Sequence, residues 1–316
     1  MKVGVIGAGK MGENHVRTYL SLTRECQFIG LYDVNQVRSN EIAEKYHVKS
    51  FPTLYALLQE VDAVSITVPT TYHYEVGLAC IEHNVHILME KPIASTVAQA
   101  EKLKQRALKE NVYIQVGHIE LFNPLVKALQ QTVKNEDIIA IETHRMSSFS
   151  ARLEGVDVVQ DLMLHDLYIL HALLANDRFQ DIYTVGHLSK DLPIHAVAIA
   201  KTAAGVAIQL TASYQSNKNV RSIHLLTKNS YIVANLLTNE LAITRNSEQV
   251  GTYARSTTEI IQAPSFHQPL ALELQAFLLC VKEKKPPLVT AEDGIQALAL
   301  ASNISKSIQT AKNENK

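Results

Sequence analysis

The first dozen residues restrict the fold more tightly than any other stretch. Val3-Gly4-Val5-Ile6 is a short apolar run of the kind that forms a buried strand, and Gly7-Ala8-Gly9-Lys10-Met11-Gly12 follows at once. A G-x-G-x-x-G pattern where a strand turns into a helix gives each glycine its own work. Gly7 permits the tight turn, Gly9 leaves the backbone bare for a pyrophosphate, and Gly12 lets the helix pack closely on the strand. The N–H groups of the loop and the helix dipole favour the phosphate charge, so Ala8, Lys10 and Met11 join the glycines as expected cofactor contacts. The next apolar run, Phe28-Ile29-Gly30-Leu31-Tyr32, ends in Asp33, 21 residues after Gly12. A carboxylate there accepts hydrogen bonds from the ribose hydroxyls of NAD. It also repels a 2′-phosphate. The next arginine, Arg38, stands five residues on and is kept among the expected cofactor contacts. NAD is therefore expected, with NADP less favoured.

Up to about residue 119, strand-like and helix-like runs alternate. Ala63 to Val68 is a buried strand that stops at Pro69, and Val85 to Met89 is another, followed by Glu90-Lys91-Pro92. Val112 to Val116 leads into Gly117-His118. The intervening helices are expected from Asn35 to Tyr46, Thr53 to Leu58, Thr71 to His83 (capped by Thr70 or Thr71) and Ser95 to about Glu110, with Ser95 as cap. Such alternation implies βαβ crossovers and a doubly wound parallel sheet. After residue 119 the pattern changes. Helices are expected at Pro124 to Val133 and Asp161 to Leu174, and Ile138 to Arg145 reads as a strand. Short strands dominate from Asp181 to Ile243, with hairpin turns at Ala203-Ala204-Gly205 and Lys228-Asn229-Ser230. Two helices, His267 to Lys284 and Ala291 to Ala311, close the chain. The expected organisation is α/β: a Rossmann unit over residues 1–119, then an α+β unit over 120–316 with an open-faced, mostly antiparallel sheet. A substrate pocket is expected between them.

Bulk properties narrow the partners. Lys plus Arg number 30 and Asp plus Glu 31, so neither nucleic acid nor an anionic membrane is an expected partner. The three cysteines are scattered, which fits a reducing compartment and neither a disulfide framework nor a metal cluster. No signal-peptide pattern precedes the first strand, and no apolar run reaches membrane-spanning length. A cytoplasmic protein without a metal is expected.

The carboxyl ends of parallel strands form the mouth of such a sheet. Pro69, Thr70 and His73 fall at one such end, Glu90, Lys91 and Pro92 at another, and His118 at a third. A buried strand that ends in adjacent Glu and Lys is either a solvated turn or a site where the Lys91 ammonium meets a hydroxyl or carbonyl oxygen. Asp161 and His165, four apart, share a face of an α-helix. They form either a plain helical ion pair or a carboxylate and imidazole suited to proton transfer.

The loop Gly7 to Gly12, Glu90-Lys91-Pro92, Gly117-His118 leading into Phe122-Asn123-Pro124, and Asp161-x-x-x-His165 occur in an order that resembles the Gfo/Idh/MocA oxidoreductase family. The resemblance covers nearly the whole chain. It implies a Rossmann domain, an open-faced sheet that often forms the oligomer interface, and NAD- or NADP-dependent oxidation or reduction of sugars, inositols and related carbonyl compounds. It makes Lys91 and His165 the catalytic pair, with Asp161 in support. One of the two takes the hydroxyl proton, His165 being the first choice, with Lys91 then stabilising the developing alkoxide. Asn123 joins the cofactor contacts, and the expected substrate-binding set is Lys91, His118, Asn123, Arg152, Asp161 and His165. The resemblance also implies a homodimer or homotetramer through the second sheet. Gly12 to Arg17, Gly117 to Pro124 and Leu162 to Leu167 look like the members that oxidise the 3-hydroxyl of UDP-N-acetylglucosamine. Leu121, Tyr168 and Met146-Ser147-Ser148 depart from that subgroup, where Arg, Asp and a Gly-Pro turn are usual. Dehydrogenation of another sugar, an inositol or a small carbonyl compound stands beside it, as do a nucleotide-sensing module without catalysis and a mainly structural oligomer.

Overall fold

In the computed structural model the described residues are 1–150, 153, 155–174, 177–250, 253–263 and 268–314. The elements run β1 (Lys2–Ile6), α1 (Lys10–Ser21), β2 (Gln27–Tyr32), α2 (Gln36–Tyr46), β3 (Lys49–Ser50), α3 (Leu54–Leu58), β4 (Ala63–Ile66), α4 (His73–Glu82), β5 (His86–Glu90), α5 (Val97–Lys109) and β6 (Ile114–Gly117). They continue with α6 (Pro124–Val133), β7 (Ile138–Ser148), α7 (Leu164–Leu173), β8 (Phe179–Ser189), β9 (Leu192–Thr202), β10 (Ala207–Ser213), β11 (Gln215–Thr227), β12 (Ser230–Asn235), β13 (Glu240–Val250), β14 (Tyr253–Gln262), α8 (Pro269–Glu283) and α9 (Ala291–Glu314). Two compact units emerge: Met1–Phe122 with Gln268–Leu298, and Asn123–His267 with Ala299–Lys316.

The first unit holds the expected doubly wound sheet, six strands in the order β3-β2-β1-β4-β5-β6, all parallel. Every residue of β4 and β6 is buried, as near-continuous apolar strands require when both faces are covered. The core joins Val3 and Val5 of β1 and Val16 and Tyr19 of α1 to Leu270, Leu274 and Phe277 of α8. Two helix starts differ from expectation. Thr96, not Ser95, caps α5: its backbone is extended and its hydroxyl accepts from Gln99 N, while Ser95 Oγ donates to Thr70 O. Thr70–Tyr72 forms a 3-10 turn, so α4 begins only at His73 and has no side-chain cap.

The second unit is an eight-stranded sheet in the order β14-β13-β12-β11-β7-β10-β9-β8, antiparallel except where β10 runs parallel to β7. Both expected hairpins are present, joining β9 to β10 and β11 to β12. The strands are longer than expected: β7, β8 and β9 have 11 residues and β11 has 13. β14 lies beyond the expected strand-rich region. Alternation explains the length. Ile141 and Thr143, Ile208 and Leu210, and Ile223 and Leu225 are buried, while the residues between them face the other way. That other face carries Tyr183, Val185, Ile199, Leu226, Tyr231 and Ile260, all exposed. Arg145 and Asp166 are both buried and tie β7 to α7: Arg145 Nε and an Nη donate to one Asp166 oxygen at 2.9 and 2.8 Å. No described helix is long and apolar enough to cross a membrane.

Candidate active site

The glycine loop has the backbone its sequence demands. Gly7 sits at φ 103°, where a side chain is strained, and its N–H donates to Tyr32 O at 2.8 Å. A Cβ on Gly12 would lie 1.8 Å from Gly7 O, so no other residue lets α1 start there. Gly9 is different: a Cβ there would meet nothing within 4 Å. Gly9 is also the N-cap of α1 and supplies no side-chain hydrogen bond to its N–H groups. An open space before helix N–H groups that no side chain caps fits a pyrophosphate.

Asp33 braces this loop. One carboxylate oxygen accepts from Ala8 N at 2.5 Å and the other from Asn35 N at 2.7 Å. A carboxylate has about four acceptor positions, so two remain for ribose hydroxyls. Arg38 Nε donates to Ala8 O at 3.1 Å, and its other nitrogens donate to Glu13 and Glu41. Glu13 also accepts from Lys45 and Tyr46, and the Lys45 hydrogen bond holds its carboxyl below the usual range. Arg38 is therefore engaged by the loop and two carboxylates.

At the exits of β4 and β5, His73 is buried, with Nδ1 2.8 Å from Pro92 O and Nε2 2.9 Å from Val68 O. Burial pushes its pKa down, partly offset by the two carbonyls. It braces the two strand exits, next to Pro69 and Thr70. Glu90 and Lys91 are half-buried, and the Lys91–Pro92 bond is cis. Glu90 Oε1 lies 3.0 Å from Nε2 of the fully buried His15. His118 is fully buried, and its backbone N–H donates to Glu273 Oε1 at 2.6 Å. Lys10 is exposed and Met11 half-buried.

In the second unit, Asn123 caps α6 by accepting from Leu125 N at 2.9 Å. Val159–Met163 is a π-helical turn that runs into α7. Asp161 thus stands in the wide turn and His165 in the α-helix, and the four-residue spacing departs from a plain α-helical pair. Both remain half-buried, while Met163, Leu164, Asp166 and Leu167 around them are buried. Tyr214 OH donates to Asp161 Oδ2 at 2.9 Å. Arg152 lies outside the described residues.

His15, Glu273, Tyr214 and the Arg145–Asp166 pair carried no sequence pattern tied to chemistry. Glu273 did leave one trace: an acid in the first half of α8 among Leu270, Leu274, Phe277 and Leu278. The others are joined to their partners only by tertiary contact. Among the described residues, no group of three or more His, Cys, Asp or Glu side chains is placed to hold a metal ion.

Two family models match: "Oxidoreductase family, NAD-binding Rossmann fold" over residues 1–118, and "Oxidoreductase family, C-terminal alpha/beta domain" over residues 158–313. The chain is 29% identical to UDP-N-acetylglucosamine 3-dehydrogenase of Acidithiobacillus ferrooxidans, over 98% of this chain and 97% of that protein. A solved structure of that dehydrogenase superposes with a TM-score of 0.91 over 98% of both chains, at 28% identity. Myo-inositol 2-dehydrogenase of Thermotoga maritima is 24% identical, over 98% of this chain and 96% of its own length. Levoglucosan dehydrogenase, solved with NADH and levoglucosan, shares the fold with a TM-score of 0.85 at 17% identity, over 98% of this chain and 97% of its own.

Proposed function

This chain belongs to the Gfo/Idh/MocA family of oxidoreductases, and from that premise we propose that it oxidises the 3-hydroxyl of UDP-N-acetylglucosamine. It is an NAD-binding dehydrogenase that acts on CH–OH groups. The observation that carries the choice of sugar is the end-to-end likeness to the nucleotide-sugar dehydrogenase, in sequence and in fold.

Gly7 to Gly12 hold the pyrophosphate of NAD and Asp33 holds its adenosine ribose, with Pro69, Thr70, His73, Glu90, Pro92 and Asn123 supplying or bracing the remaining contacts. NAD, when bound, accepts the hydride from the carbinol carbon. His165 takes the hydroxyl proton as the carbinol C–H bond breaks; an imidazole, unperturbed at about 6.5, is the side chain suited to a base near neutrality. Lys91 stabilises the developing alkoxide with its ammonium. Asp161, fixed by Tyr214, orients the sugar together with His118 and Arg152. A homo-oligomer through the open face of the eight-stranded sheet completes the proposal.

The test is reduced-nicotinamide absorbance after mixing protein, NAD and UDP-N-acetylglucosamine with a ketone trap. A signal that is lost in Lys91→Met supports both the sugar and the residue. Signal from an inositol or another sugar alone overturns the substrate and moves it to the reading favoured by the inositol dehydrogenase likeness.

A further inference from the structure

We propose that Glu273 is a positioning residue for this reaction: from α8 its buried carboxyl group accepts from the Gly117–His118 peptide and holds that peptide against Glu90 and the Glu90–Lys91 turn. The inference rests on Lys91 serving the proposed oxidation.

Geometry carries the argument. The Glu273 side chain lies on a helix otherwise committed to the core and is 1% exposed. Its Oε1 accepts from His118 N at 2.6 Å, and Gln115 Nε2 donates to its backbone carbonyl at 3.2 Å. Its Oε2 has no hydrogen-bond partner among the described residues. Gly117, the other half of the same peptide, has the carboxyl carbon of Glu90 3.4 Å from the place where a Cβ would stand. Two carboxyl groups therefore flank one peptide unit. Glu90 has an imidazole beside it, that of His15 at 3.0 Å.

Burial first, and then the charge of Glu90, hold the Glu273 carboxyl well above the usual range. Tyr19 of α1 also faces it, and burial pushes that phenol upward as well. The peptide that Glu273 holds lies against Glu90, the residue before Lys91.

The test uses NAD-loaded wild type, Glu273→Gln and Glu273→Leu. Infrared spectra at neutral pH should show the carbonyl band of a protonated carboxylic acid in wild type, absent in Glu273→Gln; this arm needs no substrate. In the kinetic arm, Glu273→Leu leaves His118 N–H without its acceptor, and kcat should fall about tenfold with NAD affinity unchanged. Glu273→Gln should recover most of that loss, because its amide oxygen still accepts the N–H. It should also lack the alkaline limb that ionisation of Glu273 adds to the wild-type pH profile. An infrared spectrum that is unchanged in Glu273→Gln, or a Gln profile that superposes on wild type, overturns the proposal. Silence with UDP-N-acetylglucosamine and an intact infrared difference overturns the sugar alone.

Discussion

The six-stranded sheet and the eight-stranded sheet treat their backbones differently. In the first, both faces are covered, strands are short, and glycines mark the places where backbone must approach backbone or ligand. Gly12 lies against Gly7 O, and Gly117 lies over Glu90. In the second, one face is a core and the other is exposed along strands of up to 13 residues. The first sheet tolerates little change in shape near its strand ends. The second tolerates change on one face and depends on the other. The proposed chemistry follows the same division. The glycine loop and the Lys91 turn are backbone constructions, while Asp161 and His165 are presented by a helix held from beneath by the Arg145–Asp166 pair.

Substitutions can break or sharpen this contrast. The largest effect is expected from Gly12→Ala, whose methyl group would overlap Gly7 O. It should cost more than about 4 kcal/mol and abolish NAD binding, read by urea unfolding and cofactor titration. Gly9→Ala should unfold like wild type and yet weaken NAD at least about tenfold, which separates the glycine the fold needs from the one the ligand needs. Next is Asp166→Ala in the second unit, which takes a carboxylate away from a buried guanidinium and should cost about 3–5 kcal/mol in the same unfolding assay. Arg145→Met combined with Asp166→Leu should recover most of it.

A smaller effect depends on pH. The unfolded Glu273 carboxyl releases its proton near 4.5, whereas the folded one holds it well above that. Between those two values the folded state binds the extra proton, so wild type loses stability relative to Glu273→Gln as pH rises, by at most about 1.4 kcal/mol per pH unit. Unfolding at pH 4, 6 and 8 reads the slope, and a flat difference contradicts it. The smallest effect on the chain itself is expected on the open face. Val185→Ser and Ile199→Ser should each change unfolding by about 0.5 kcal/mol or less, while sedimentation shifts to smaller species if that face pairs copies of the chain.

Much of the first unit was legible because its signals are local. A glycine in a left-handed turn, an acid at a strand end and an apolar run each declare themselves within a few residues. The Asp33 strand end and the alternation of strands with helices are of this kind. The helix starts were less so. Ser95 and Thr96 are chemically equivalent caps, and only the extended backbone at Thr96 selects between them. In the second unit, alternation predicted the hairpins but not how far the strands continue, since that depends on which neighbours are available to pair.

By itself, the sequence determined the cofactor loop and the order of the elements, because each is encoded in residue type and spacing along the chain; the pairing of Lys91 with His165 came from the family resemblance. Only the tertiary structure decided that Asp161 occupies a π turn held by Tyr214, that Arg38 is taken up by Glu13 and Glu41, and that Glu273 faces Glu90 across one peptide. Those partners are separated by up to 183 residues, from Glu90 to Glu273. Charge and hydrogen bonding act through space, and no periodicity along a chain records which distant groups the fold brings within reach.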